Sequence, residues 1–111
     1  MNFDNTVKYL MSKSQWNSAI TACVKELHTA MELALIKQEY TFTGGDLYST
    51  YKRLCNVGII VDEVEYERFL KNLDEFVMKQ IDASEHYAKL VTEDTKKFIE
   101  YLMSFDMVEQ M

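Results

Sequence analysis

The chain contains no proline and only three glycines among its 111 residues. Scarcity of the two strongest chain-breaking residues argues against a turn-rich β fold and for long helices. Cysteine is equally sparse. Cys23 and Cys55 fall in apolar helical contexts, outside any CxxC or metal-ligand spacing, and are expected as buried, reduced thiols. No stretch approaches the roughly 20 consecutive apolar residues of a membrane span. Residues 1–10 carry Asp4 and lack an apolar core segment, so a signal peptide is not expected and a cytoplasmic protein is. Basic residues are outnumbered, 12 Lys and Arg against 18 Asp and Glu, for a formal charge of −6. Direct nucleic-acid binding, which sets Lys and Arg against phosphates, is therefore disfavoured. A basic protein partner fits that balance, and so does plain solubility.

What is present is apolar surface. The chain is 48% hydrophobic and 13% aromatic, enough for one domain spanning residues 1–111 to bury a core without staples. Residues 14–38 organise the rest. Trp16, Ile20, Cys23, Val24, Leu27, Met31, Ala34 and Leu35 recur with the period of one helical face. A second set, Ala19, Ala22, Ala30, Leu33 and Ile36, widens the stripe until neighbours are expected on several sides. Ser14 is the expected N-cap. A short amphipathic helix over residues 2–11 precedes it, with Phe3, Val7, Leu10 and Met11 on one side and Asp4 or Asn5 as cap. The central helix is expected to end near residues 39–42, where Tyr40, Thr41, Phe42 and Thr43 cluster, ahead of a Gly44-Gly45 turn.

Residues 46–56 read as the next helix, with Leu47, Tyr48, Tyr51, Leu54 and Cys55 inward, Asp46 in the first turn and Gly58 as a left-handed cap. Asp62 and Glu65 form an acidic variant of the capping box. The helix they open carries Val64, Phe69, Leu70, Leu73, Phe76, Val77, Gln80 and Ile81 inward. Residues 82–85 either break that helix or continue it, and Ser84 suits a new start. The last helix spans residues 85–104, with Tyr87, Leu90, Val91, Thr95, Phe98, Ile99, Leu102 and Phe105 inward, and residues 106–111 are expected to fray. The expected fold is all-α, an up-and-down bundle of four main helices plus a short N-terminal helix.

Patterns that carry chemistry are few. His28 and His86 are the two histidines, and neither lies in a nucleophile motif. Thr43-Gly44-Gly45-Asp46 lacks the GK[ST] ending of a phosphate loop, which leaves a plain turn or a weak anion site before a helix N-terminus. No Glu-x-x-His pair faces a bundle interior, so neither metal nor cofactor is expected. Asp82 and His86 stand at i, i+4 and read as a helical pair or cap. Tyr66 falls off the apolar stripe, beside Glu65, Glu67 and Arg68, and is a candidate interface anchor.

The run His28-Thr-Ala-Met-Glu-Leu-Ala-Leu-Ile-Lys37, followed by Thr43-Gly-Gly-Asp-Leu47 and a helix ending at Leu54, resembles the HEPN superfamily. Ala30, Glu32, Ala34, Leu35 and Lys37 approximate its A-x-E-x-A-L-K helix. Thr43, Asp46 and Leu47 approximate its T-x-H-D-L turn, with Gly45 where the family often has His. The resemblance covers residues 20–105 by helix order. It implies either a metal-independent ribonuclease toxin or a non-catalytic partner of a small nucleotidyltransferase. The toxins carry Arg-x4–6-His at the start of a late helix, the place of His86 here. Lys79, Gln80 and Ile81 stand where the arginine belongs, and Lys79 lacks the planar fork of a guanidinium.

A non-catalytic helical interaction or regulatory module is the reading these residues favour, acting through protein contacts and as a homodimer. Its expected surface is Asp62, Glu63, Glu65, Tyr66, Glu67, Asp74 and Glu75. One alternative is an RNA-cleaving toxin of the HEPN type using His86, with Lys79 and Tyr87 assisting. The other is a small acidic inhibitor or immunity protein, phage- or plasmid-borne, that blocks a basic site on a larger protein.

Overall fold

The computed structural model describes residues 3–41 and 44–109. Among the described residues there are five helices and no strand: α1 (Phe3–Ser12), α2 (Trp16–Lys37), α3 (Leu47–Asn56), α4 (Val64–Lys79) and α5 (Glu85–Glu109). Phe42 and Thr43, expected to mark the end of the central helix, lie outside the described residues.

Three helices close in the same way. Gln15 N–H donates to the Leu10 carbonyl (2.9 Å) and Ser14 N–H to that of Met11 (3.1 Å), with Ser14 in the left-handed region at φ 57. This paired closure satisfies carbonyls that a helix end would otherwise leave unpaired. Ser14 therefore ends α1 instead of opening α2, whose N-cap is Gln15, without a side-chain cap bond. The same pair of bonds recurs from Tyr40 and Glu39 to Leu35 and Ile36, and from Ile59 and Gly58 to Leu54 and Cys55. Gly58 is the expected residue for this role. Glu39, at φ 65, carries a Cβ in a conformation that disfavours one.

The remaining boundaries show which expected caps act. Asp46 is the N-cap of α3, its side chain accepting from Ser49 N–H. Glu63, not Asp62, stands at the N-cap of α4 and makes no side-chain cap bond, so the acidic capping box does not form. Left-handed Gln80 ends α4, and residues 80–84 separate it from α5. Ser84 then caps α5, its hydroxyl oxygen accepting from Tyr87 N–H. The α5 backbone stays helical to Glu109, past the expected fraying point.

The core forms around α2, which packs on α1, α3 and α5, while α4 packs on α3 and α5. α2 buries Ala19, Ile20, Cys23, Leu27, Met31 and Leu35. Its second stripe is not wrapped as expected: Leu33 and Ile36 are each 51% exposed. Val64, Val77, Ile81 and Leu90, expected inward, are exposed as well. In α4 the inward face is Leu70 and Leu73, as expected, flanked by half-buried Phe69 and Phe76 and by Tyr66, which was not expected there. Cys23 is buried and Cys55 half-buried, both as free thiols.

The contacts also give the direction of each helix. Asn17, at the start of α2, binds Asp82 and Ala83 just before α5. Ala34 and Lys37, at its other end, line one groove with Leu102 and Phe105 near the end of α5 and with Ile59 just past α3. The first turn of α3 meets Asp74 in the second half of α4. Thus α2, α3 and α5 advance in one sense and α4 in the other. The up-and-down order expected for four main helices is not what these contacts show between α2 and α3. α2 ends at Lys37 and α3 starts at Leu47, a longer separation in sequence than an antiparallel pair needs.

Candidate functional site

The acidic surface expected along α4 is partly spent inside the fold. Asp74 accepts from Leu47 N–H (3.0 Å) and Tyr48 N–H (2.8 Å), while Asp46 accepts from Ser49 N–H (2.8 Å). The first three amides of α3 are therefore taken by two carboxylates of the chain. The anion site considered at Gly44-Gly45 has no free first-turn amide among these. Burial raises the Asp74 carboxyl above the usual range, against the pull of the two backbone donors.

A second set of bonds ties α3 to the start of α4. The Tyr51 hydroxyl donates to Asp62 Oδ1 (2.8 Å) and accepts from Glu63 N–H (2.8 Å). Lys52 Nζ reaches Asp62 (3.2 Å) and Glu67 (3.4 Å), and the Tyr48 hydroxyl donates to Glu67. Asp62 is held below the usual carboxylate range by the Tyr51 hydroxyl first and by Lys52. Asp62, Glu67 and Asp74 thus have internal partners. Glu63, Glu65 and Glu75 remain exposed. Tyr66, expected as an exposed anchor, is half-buried, its ring 5.5 Å from Phe98 and 4.7 Å from Tyr101. Helical phase misled there, because α4 turns its Tyr66 edge towards α5.

Tyr51 makes the fold sensitive to alkali. Burial, chiefly, pushes its hydroxyl far above the ordinary phenol range, and burial also raises Tyr66, Tyr87 and Tyr101. A raised folded-state value means that the unfolded chain ionises first. The stabilisation is fully present below about pH 10, the unfolded phenol value, and is lost as pH rises above it. Urea denaturation across that range is expected to show stability falling, with a shallower fall in Tyr51→Phe. Identical slopes for the two proteins would refute the role of Tyr51.

The residues of the ribonuclease alternative lie on either side of the connection between α4 and α5. Lys79 lies in the last turn of α4 and His86 is exposed in the first turn of α5. The Tyr87 ring lies 4.5 Å from that of Phe76. Asp82 is not a helical partner of His86: it sits in the connection and accepts from the Asn17 amide, whose oxygen accepts from Ala83 N–H. Among the described residues no three His, Cys, Asp or Glu side chains converge as metal ligands, and no helix is long and apolar enough to cross a membrane.

Two grooves remain. The first, about 220 Å³, runs between the C-terminal halves of α2 and α5 and is floored by Ala30 and Ala34 beside Leu33, Ile99 and Met103. Met103 is 58% exposed. The second, about 350 Å³, lies between α4 and α5 and mixes Tyr66, Phe69 and Tyr87 with Glu65, Arg68 and Asp94. In the sequence Leu33 reads only as an extra core position, and Met103 and Asp94 carry no signal of a role. The one available signal for the first groove was the surplus width of the α2 stripe. Comparison of the chain with protein families, with curated proteins and with solved structures finds no match.

Proposed function

We propose that this chain is a non-catalytic helical interaction module that acts through protein contacts, as a homodimer. The α2–α5 groove carries the reading. Single exposed apolar side chains are ordinary, but Leu33 and Met103 stand together around an apolar trough. The occupant that fits is a second copy. Glu26 and Lys37 mark opposite ends of the α2 edge of the groove, with Ala30 and Leu33 between them. A two-fold axis set midway would place Leu33 of each copy over Ala30 of the other, so one apolar patch complements itself in size. The HEPN-like reading belongs to the same proposal: the α2 residues that carry the resemblance lie on this helix, and Asp46 opens α3 after it.

RNA cleavage through His86 has less support, because no described residue holds that imidazole in place as a positioned base. Sedimentation at micromolar concentration tests the proposal. Wild type is expected as a dimer and Leu33→Asp as a folded monomer, since Leu33 lies half outside the core. A wild-type protein that sediments only as monomer would overturn it.

A further inference from the structure

We propose that the cleft between α4 and α5 is a docking site for a lysine or arginine side chain of a partner protein. Aromatic contacts hold the two helices apart at both ends of the cleft. Tyr66 lies against Phe98 and Tyr101 at one end, and Phe76 against Tyr87 at the other. Between them the helices leave about 350 Å³ open. The rings of Tyr66, Phe69 and Tyr87 line it, and Glu65 on α4 and Asp94 on α5 are its two carboxylates.

Neither carboxylate has a hydrogen bond or ion pair among the described residues. Asp94 is half-buried, and its carboxyl lies above the usual range, through burial first and then through repulsion from Glu93 and Glu65, with Lys97 pulling the other way. A carboxylate drawn partly out of water beside a second one is relieved by a cation brought between them. Aromatic faces add attraction for the same cation. Arg68 stands on the rim, also without a partner. Two carboxylates against one guanidinium leave a single net negative charge, which matches one cationic side chain and disfavours a run of them. Asn72 lines the same cleft, and its amide is free to pair with the backbone of an incoming segment. Leu90 at the edge is 45% exposed and offers apolar contact that a polypeptide would cover and a free amine would not.

The inference rests on the interaction-module reading but uses a different face from the α2–α5 groove, so sedimentation and docking fail independently. The test is amide NMR of the full chain titrated with a short blocked peptide carrying one lysine between leucines. Amides of residues 65–72 and 87–94 are expected to shift, and the shifts to weaken with added salt. Asp94→Asn and Glu65→Gln are each expected to weaken binding roughly tenfold, and exposed Glu39→Gln, which lies outside the cleft, to leave it unchanged. Glu65 is exposed, so its variant keeps the test open if Asp94→Asn fails to fold. The norleucine version of the peptide is expected not to bind. Absence of shifts at millimolar peptide overturns the inference, as does equal binding of the norleucine peptide. Equal binding of butylammonium would show a small-amine site and overturn the assignment to a protein partner.

Discussion

Leu27→Ala is expected to lower the unfolding free energy by about 3–5 kcal/mol, read from urea denaturation at an unchanged m-value. Leu27 is fully buried midway along α2, the helix against which α1, α3 and α5 pack. Truncation removes apolar contacts and leaves a cavity that three packed helices cannot collapse around. A domain of this size holds a total of about 5–15 kcal/mol, so the variant stands near the limit of folding. Trp16 is larger but only half-buried, and its alanine variant is expected to lose less. A Leu27→Ala protein that unfolds like wild type while losing partner binding would remove Leu27 from the core and place it in an interface.

The second large effect is expected at a polar residue. Asp74→Ala should cost roughly 2–4 kcal/mol, far beyond an ordinary surface substitution. The carboxylate accepts from Leu47 and Tyr48 across 27 and 26 residues of chain. Both amides lie in the first turn of α3, where no intrahelical acceptor exists. Asp46 supplies the neighbouring bond from within the turn, so Asp46→Ala is expected to cost only about 1 kcal/mol. Asn at position 74 keeps one acceptor oxygen and should fall between Asp and Ala. An Asp74→Ala variant no less stable than Glu75→Ala would refute the clamp. Charge reversal along this helix is therefore not a clean probe of partner binding: at Asp74 it perturbs folding, at Glu65 it does not touch an internal partner.

These two residues also show what was legible in advance. Leu27 follows from the spacing of Ile20, Cys23 and Met31, all buried on one face of α2. The caps at Gly58 and Ser84 follow equally from local chemistry, since each acts within a few residues of itself. Asp74 was read as part of an acidic surface because its partners are distant in sequence. Asp62 looked like a cap for the same reason, until the Tyr51 hydroxyl competed for it. A serine between two helices can close the first or open the second, and the left-handed turn at Ser14 decides for the first. Val64 and Val77 share an apolar spacing with buried residues, but α4 packs on α3 and α5 and leaves these two side chains outside. The two grooves are products of how helices are spaced, which periodicity does not encode.

The shared direction of α2 and α5 has a consequence for how the protein is made. Asn17 finds Ala83 only across 66 residues of chain, and Cys23 meets Thr92 across 69. The pairs α1–α2 and α3–α4 close short loops and can assemble as local hairpins. Joining α2 to α5 is the long-range step, and long-range steps set the pace of folding. On the ribosome α2 emerges before α5, so the buried face of α2 waits with one side uncovered until α5 follows.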